Sequence, residues 1–410
     1  MTKPFLFALL FSAVAFAQSP WPSVNWNTAD NLTAVMNTDG INDLSGLHWN
    51  PVTQRLYCVQ GDGRLRILQM NASATGFTQI ANRTLPDGPE GITQVDFSAN
   101  EFYTIDENNY EIRKFTHNGS FGNLTESRHW DLLQSPSPME DTGNTGTEGI
   151  VFIPDAALAE AGFVSQQTGN LYVSQKGMGG LLFVAHQDEG YLWVFDVNPA
   201  VNNDFLYVGK YETNRLESTD LAFDRTTGML YILHNIDANY LEVTDLTSVV
   251  TTGSARKFNL VNEYFLPNPT DGNINIEAFA IVPKCPDDAQ VSVWLGRDVE
   301  TDEGDAILQD CLRWFMPFVA DGTCPPPLHT DIADLAMFSI YPNPGENAIT
   351  IDFTIGSKAE IQVLNSMGQT IINRRADGDV ALDVSGLAAG WYVIKVSQDG
   401  KTAVVKWVKH

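Results

Sequence analysis

Positive charge is scarce in this chain: 24 Lys and Arg stand against 50 Asp and Glu in 410 residues, a formal net charge of −26. A surface that acidic repels phosphate backbones, which excludes nucleic acid as a partner. Cysteine is scarce as well, at four residues, and a chain of this length can bury a large core without disulfide staples. Beyond the first 17 residues no stretch approaches the roughly 18 unbroken apolar residues that a membrane-spanning helix requires. The sequence also lacks a Gly-x-Ser-x-Gly elbow, a His-Glu-x-x-His pair and a Walker loop, so the familiar hydrolase, zinc-protease and nucleotide signatures are missing. Gly177-Met178-Gly179-Gly180 is Gly-rich but has no helical pattern after it, and it reads as a surface turn rather than a phosphate cradle.

What is present begins with a leader. Lys3 precedes a run from Phe5 to Phe16 that only Ser12 interrupts, and Ala15-Phe16-Ala17 offers the small-x-small pattern of a signal peptidase site. Twelve helical residues reach about 18 Å at ~1.5 Å each, short of a bilayer core of about 30 Å. Residues 1–17 are therefore expected to be a signal peptide, and the cysteines of the mature chain to meet an oxidising compartment.

Charge is uneven along the chain. Residues 331–410 hold 9 acidic and 7 basic side chains, leaving 41 acidic against 17 basic in residues 1–330. That excess is compatible with calcium, which takes several carboxylate and carbonyl oxygens, and equally with a solvated surface that keeps an exported protein soluble.

Strand signals dominate, and one unit recurs: a polar or acidic residue opens a small apolar strand, a turn follows, and a stronger strand ends in polar residues. Copies begin at Asp43-Leu44-Ser45-Gly46-Leu47, Glu90-Gly91-Ile92, Glu148-Gly149-Ile150, Thr219-Asp220-Leu221 and Glu277-Ala278-Phe279. The apolar residues Leu47, Ile92, Ile150, Leu221 and Phe279 are 45, 58, 71 and 58 residues apart, enough for one four-stranded blade plus loops. A lone small sheet cannot bury both faces, so such units stack radially. The expected fold is all-β, with a β-propeller of five or six blades over residues 18–324 followed by a small antiparallel β-sandwich. A two-layer sandwich for the first part would not repeat a five-residue motif.

Pro325-Pro326-Pro327 opens a stiff linker expected over residues 325–334. In up-and-down topology Cys285, after the first strand of the last blade, and Cys324, after the third, share one end of the sheet, while Cys311 stands at the other. A Cys285–Cys324 bridge is favoured, and Cys58, within Leu56-Tyr57-Cys58-Val59, reads as a buried thiol.

The tail, residues 335–410, carries Tyr341-Pro342-Asn343-Pro344, then Asn365 with Gly368-Gln369, then Leu387 through Gly390, Tyr392 and Lys395. These words closely resemble the type IX secretion C-terminal sorting domain. The resemblance implies passage across a Gram-negative outer membrane by the type IX machinery, with the tail usually removed and the protein either released or held at the surface. The repeat motifs, with Asp43-Leu44-Ser45-Gly46-Leu47 and Asn144-Thr145-Gly146-Thr147-Glu148-Gly149-Ile150, resemble the SdiA-regulated and esterase-like phytase group of propellers. Departures are Glu277-Ala278 and Thr219-Asp220 where that group repeats Glu-Gly, and His186 and His234 where it often has an acidic residue.

Propeller geometry gives the motif a location. Inner strands start, and second strands end, on one face near the axis. Asp43, Glu90, Glu148, Asp220 or Glu217, and Glu277 should then ring a channel mouth, surrounded by Gln60 and Asp62, Asp106 and Glu107, His186 and Asp188, His234 and Asp237, and Arg297 and Asp298. Carboxylates so close raise each other's pKa unless a cation joins them, and calcium suits an oxygen-rich ring better than zinc does. The architectural alternative is that each carboxylate accepts backbone hydrogen bonds and latches neighbouring blades. His186 and His234 are the candidate general bases, and Arg297 and Lys176 the candidate anion contacts. Two functions are expected in competition: a monomeric secreted or surface propeller that binds calcium, a small ligand or a glycan, and a metal-assisted phosphoester or ester hydrolase. The shortage of Lys and Arg at the mouth favours binding.

Overall fold

The structure is a computed structural model. It describes residues 18–36, 43–86, 88–235, 239–269, 275–286, 291–299, 310–324, 338–353, 358–365, 370–398 and 401–410, without the side chains of 401–404. The expected leader, the linker 325–334, Met367-Gly368-Gln369 and Asp237 lie outside the described residues. The chain forms two compact units, residues 1–324 and 325–410.

In the first unit five antiparallel four-stranded arrays follow one another. The innermost strands are Leu44–Asn50, Pro89–Thr93, Thr147–Pro154, Leu221–Asp224 and Ile276–Ile281. Each neighbours the next, and the fifth returns to the first, which closes a ring: a five-bladed β-propeller. The third and fourth blades also touch through a short parallel pairing of Phe205–Glu212 with Arg256–Phe265. The outermost strand of the fifth blade comes from the other end of the unit. Asp30–Asn31 pairs with Leu312–Phe315, Trp26 Nε1 donates to Asp310 Oδ2 at 2.8 Å, and a disulfide joins Cys285 to Cys324. Closing the ring with a strand from the far terminus ties first blade to last and leaves no open inner edge. Cys58 and Cys311 are buried thiols.

The glycines of the repeat make the ring possible. A Cβ on Gly46 would fall 2.5 Å from the Glu90 carbonyl oxygen, one on Gly91 2.6 Å from the Ile150 nitrogen, and one on Gly149 2.6 Å from Asp220 Cα. The inner strands of the first three blades approach their next neighbours too closely for a side chain at these places, while the fourth and fifth carry Asp220 and Ala278 there. Between blades the apolar faces meet in continuous clusters, for example Trp49, Trp294 and Trp314 with Phe77 between the first and fifth blades. An insertion in the third blade carries the helix Asp155–Ala161, and its following loop wraps the buried Asp196, which accepts from Tyr172 Oη, Ser174 Oγ and the Gln175 and Lys176 amides.

The second unit has a three-stranded sheet (Phe338–Tyr341, Ala348–Phe353, Val380–Asp383) and a four-stranded one (Thr370–Asp377, Lys358–Leu364, Gly390–Gln398, Lys401–Lys409). Strict alternation places Ile349 and Ile351, Ile361 and Val363, and Ile394 and Val396 in one core with Trp407. Trp407 Nε1 donates to the Pro342 carbonyl at 3.0 Å, which fixes the Tyr-Pro-Asn-Pro segment against the last strand.

Candidate functional site

The acidic residues converge because of a backbone irregularity repeated around the ring. Pairing of first and second strands shifts register between Leu44 and Gly46, Pro89 and Gly91, Thr147 and Ile150, and Ile276 and Ala278. The residue in each bulge is Ser45, Glu90, Glu148 or Glu277. In the fourth blade Thr219 stands at the matching place, its N–H donating to the Leu233 carbonyl at 2.9 Å. A bulge re-aims its side chain out of the alternating pattern, here towards the axis, where Glu90, Glu148 and Glu277 interact electrostatically with one another and with Asp43, Glu107 and Glu217. The structure thus brings together the expected set of Asp43, Glu90, Glu148, Glu217 and Glu277, with Glu107 and Asp298 from the expected surrounding strand ends among them.

Within that set Asp43, Glu277 and Asp298 each present a carboxylate oxygen within 4.8 Å of the others. Asp43 sits at φ 59, and Gly61 packs so closely that a Cβ there would lie 2.2 Å from Asp43 Oδ2. Ser45 Oγ donates to Asp43 Oδ1 at 3.1 Å, Asn275 Nδ2 to Asp298 Oδ2 at 3.0 Å, and Asn235 Nδ2 reaches Glu277 Oε1 at 3.5 Å. Among the described residues no Lys, Arg or His forms an ion pair with Asp43, Glu90, Glu148 or Glu277. Burial, reinforced by the neighbouring carboxylates, pushes Asp43 up to about 6 and holds Glu90, Glu148 and Glu277 well above the usual range. Glu107 and Glu217, nearer solvent, are raised by burial as well. Several hard oxygens gathered at one place, those of Asp43, Glu90, Glu148 and Glu277 without a Lys, Arg or His ion pair among the described residues, make a donor set suited to Ca2+, with the Asn235 and Asn275 amides alongside.

Asp220 belongs to a different device. It is fully buried, and its carboxylate accepts from the amides of Leu221 (2.8 Å), Phe279 (2.8 Å) and Leu47 (3.2 Å), in the fourth, fifth and first blades. Burial drives its pKa up and the three donors pull it back. The latch anticipated for every blade-start carboxylate is thus made by Asp220, while Glu217 faces the mouth, with Gln187 Nε2 donating to it at 3.2 Å.

The second-strand ends Gln60, Asp106, His186, His234 and Arg297 occupy equivalent register positions and are all buried. Three of them turn to the third strand of their own blade, and Arg297 to the segment just before it. Gln60 accepts from Arg66 Nε at 2.6 Å, Asp106 lies 4.0 Å from Arg113, His234 Nε2 is 2.9 Å from Glu242 Oε2, and Arg297 contacts Asp310 at 3.3 Å. The Nδ1–H of His234 donates to the Glu217 carbonyl at 2.6 Å, and Arg297 also stands over the Trp26 ring. His186 Nδ1 accepts from the Asp188 amide at 3.1 Å, and burial lowers its pKa. Lys176 pairs with Asp204 away from this ring. Register position 45/90/148/219/277 was the informative signal, and Ser45 and Thr219 there mark the two blades whose ring carboxylate, Asp43 or Glu217, stands two residues earlier.

The first unit is therefore a five-bladed propeller with a carboxylate-lined axial mouth. Residues 339–410 match the family described as the secretion system C-terminal sorting domain, and the protein is an exported one, secreted or placed at the cell surface through the machinery that reads that domain. Among the described residues no helix is long and apolar enough to cross a membrane. No curated protein matches the chain. Among solved structures, a chain of the crystal structure of a nidogen/laminin complex aligns at 13% identity with a TM-score of 0.34, covering 68% of this chain and 87% of that one. The fold assignment rests on the strand order above.

Proposed function

We propose that the propeller is a calcium-dependent binding module whose axial mouth holds a divalent cation through Asp43, Glu277 and Asp298, with Glu90 and Glu148 behind them, and offers that cation to a small oxygen-rich ligand such as a glycan. The observation that carries this reading is the meeting of three carboxylates within 4.8 Å beside the half-buried Glu90 and the buried Glu148, which have no counter-charge among the described residues. Calcium held by three carboxylates keeps coordination positions open for the hydroxyls of a ligand, because its shell takes about 6–8 oxygens. In the same reading residues 1–17 are a cleaved leader, residues 325–334 tether the sorting domain, and the mature propeller acts as a monomer. The motif likeness to the SdiA-regulated and esterase-like phytase group is compatible with it. A hydrolytic reading would use His186 or His234 as base and Arg297 as anion contact. The engagement of His234 with Glu242 and of Arg297 with Asp310 favours binding over turnover.

The test is calorimetric titration of the full chain, freed of metal, with CaCl2 and MgCl2, together with melting curves and a phosphoester turnover assay. Heat of binding, a rise in melting temperature with calcium that Glu277→Gln and Asp43→Asn each weaken, and no turnover are expected. Absence of both heat and thermal shift would end the metal assignment, and calcium-dependent turnover would replace binding by hydrolysis.

A further inference from the structure

At the opposite end of the channel the five inner strands finish around a shallow axial cleft, partly open to solvent, to which every blade contributes. Its walls are mostly apolar and aromatic, with Leu47, Phe97, Phe152, Phe223 and Ile281 among them. Thr93, its hydroxyl accepting from the Phe152 amide at 3.2 Å, and two nitrogen-bearing side chains interrupt that surface. Arg225 lies 3.9 Å above the Phe97 ring and 5.3 Å from the Phe152 ring, donating to the carbonyls of Gln94 (2.6 Å) and Val95 (3.0 Å) in the second blade. His48 lines the same cavity, packs on Phe97 at 5.8 Å, and has a buried Nε2 with no hydrogen-bond partner.

Among the described residues no carboxylate lies within ion-pair distance of Arg225. Asp96 interacts only from farther off, and the adjacent Asp224 is taken up by Thr226, Thr227 and the Lys284 amide. A largely buried guanidinium satisfied only by two carbonyls keeps unused N–H donors and an unmatched charge. Burial holds Arg225 down at about 10 and His48 down at about 3, so at neutral pH the cavity carries one positive charge. A single cation above aromatic walls selects a monoanion with an apolar body, and the fork geometry of guanidinium suits a carboxylate.

We infer that this cavity binds a small organic carboxylate, with its carboxylate on Arg225 and its apolar chain against Phe97, Phe152, Phe223 and Ile281. The inference is independent of the calcium reading, since the site lies at the other end of the inner strands and is built from none of the same residues. A phosphate monoester, with two charges, fits less well against one guanidinium and a neutral imidazole.

Calorimetry on the full chain with octanoate and, separately, octan-1-ol tests it. Octanoate should bind with Kd at or below about 1 mM and the alcohol at least about tenfold more weakly. Arg225→Gln should weaken octanoate about tenfold or more and leave the alcohol unchanged. Because Arg225 also bridges two blades, Ala222→Leu provides a second variant that narrows the cavity without touching the guanidinium. It should abolish binding of both probes while leaving the melting curve within a few degrees of the parent. Failure of octanoate to bind the parent chain, equal affinity for acid and alcohol, or undiminished octanoate binding in Ala222→Leu would each overturn the assignment.

Discussion

Asp220 and the ring glutamates come from the same repeated motif, yet the protein treats them in opposite ways. Asp220 is locked by three backbone amides from three blades. Glu148 is also buried among inner strands and Glu277 half-buried there, but their principal neighbours are other carboxylates. One is a carboxylate spent on architecture, the others a carboxylate cluster that raises the energy of the empty mouth. The contrast teaches that burial of an acid in a propeller axis is not by itself evidence for a site. What separates the two roles is whether donors from the protein have already been provided.

The most damaging way to probe this contrast is Asp220→Ala. It strands the amides of Leu47, Leu221 and Phe279, and a loss of about 3–5 kcal/mol is expected, read as a large fall in denaturation midpoint. Loss comparable to that of a surface substitution would show that the latch is dispensable. Next in size is the metal itself: calcium at about a hundredfold over its Kd should add about 2.7 kcal/mol, seen as a higher melting temperature that EGTA reverses. If Asp220→Asn abolished that increment and Glu277→Gln did not, the two roles would have to be exchanged.

A smaller effect is expected from pH. Asp43 at about 6, and Glu90, Glu148 and Glu277 still higher, bind protons more tightly folded than unfolded. Stability of the metal-free protein is then full below the unfolded carboxylate range near 4 and falls as pH rises through the folded values. Melting curves in EGTA should drop by several degrees from about pH 5 to 8, and calcium, supplying the counter-charge, should flatten the profile. A metal-free profile that rises over this range would contradict the clustered-carboxylate picture. Smallest of all, Glu148→Gln should stabilise the metal-free protein by about 1 kcal/mol at neutral pH, because it removes one buried like charge, while weakening calcium binding.

Much of this was legible in the chain. The Glu-Gly pairs revealed the blade period, and export could be anticipated from Tyr341-Pro342-Asn343-Pro344 and from Gly390 through Lys395. Cys285–Cys324 followed from counting strands within the last blade, and the structure forms that bridge. The sixth blade left open by the spacing is not needed, because Asp30–Asn31 completes the fifth from the other terminus. That closure was hidden because a two-residue strand has no periodicity. His234 and Arg297 looked available at strand ends, but their partners are Glu242, on the third strand, and Asp310, just before it. Pairing across a sheet depends on register, which spacing along the chain does not disclose. The Arg225 cavity left no local signal, since its walls come from all five blades.

The sequence by itself determined the strand-rich repeat, the places where only glycine can stand, the acidic excess of the first 330 residues and the sorting tail. These are properties of single residues and short periods, set by sterics and solvation. Only the tertiary structure decided which carboxylates meet, which is latched and which histidines are occupied, because those outcomes depend on bulges that redirect side chains and on contacts between blades far apart in the chain.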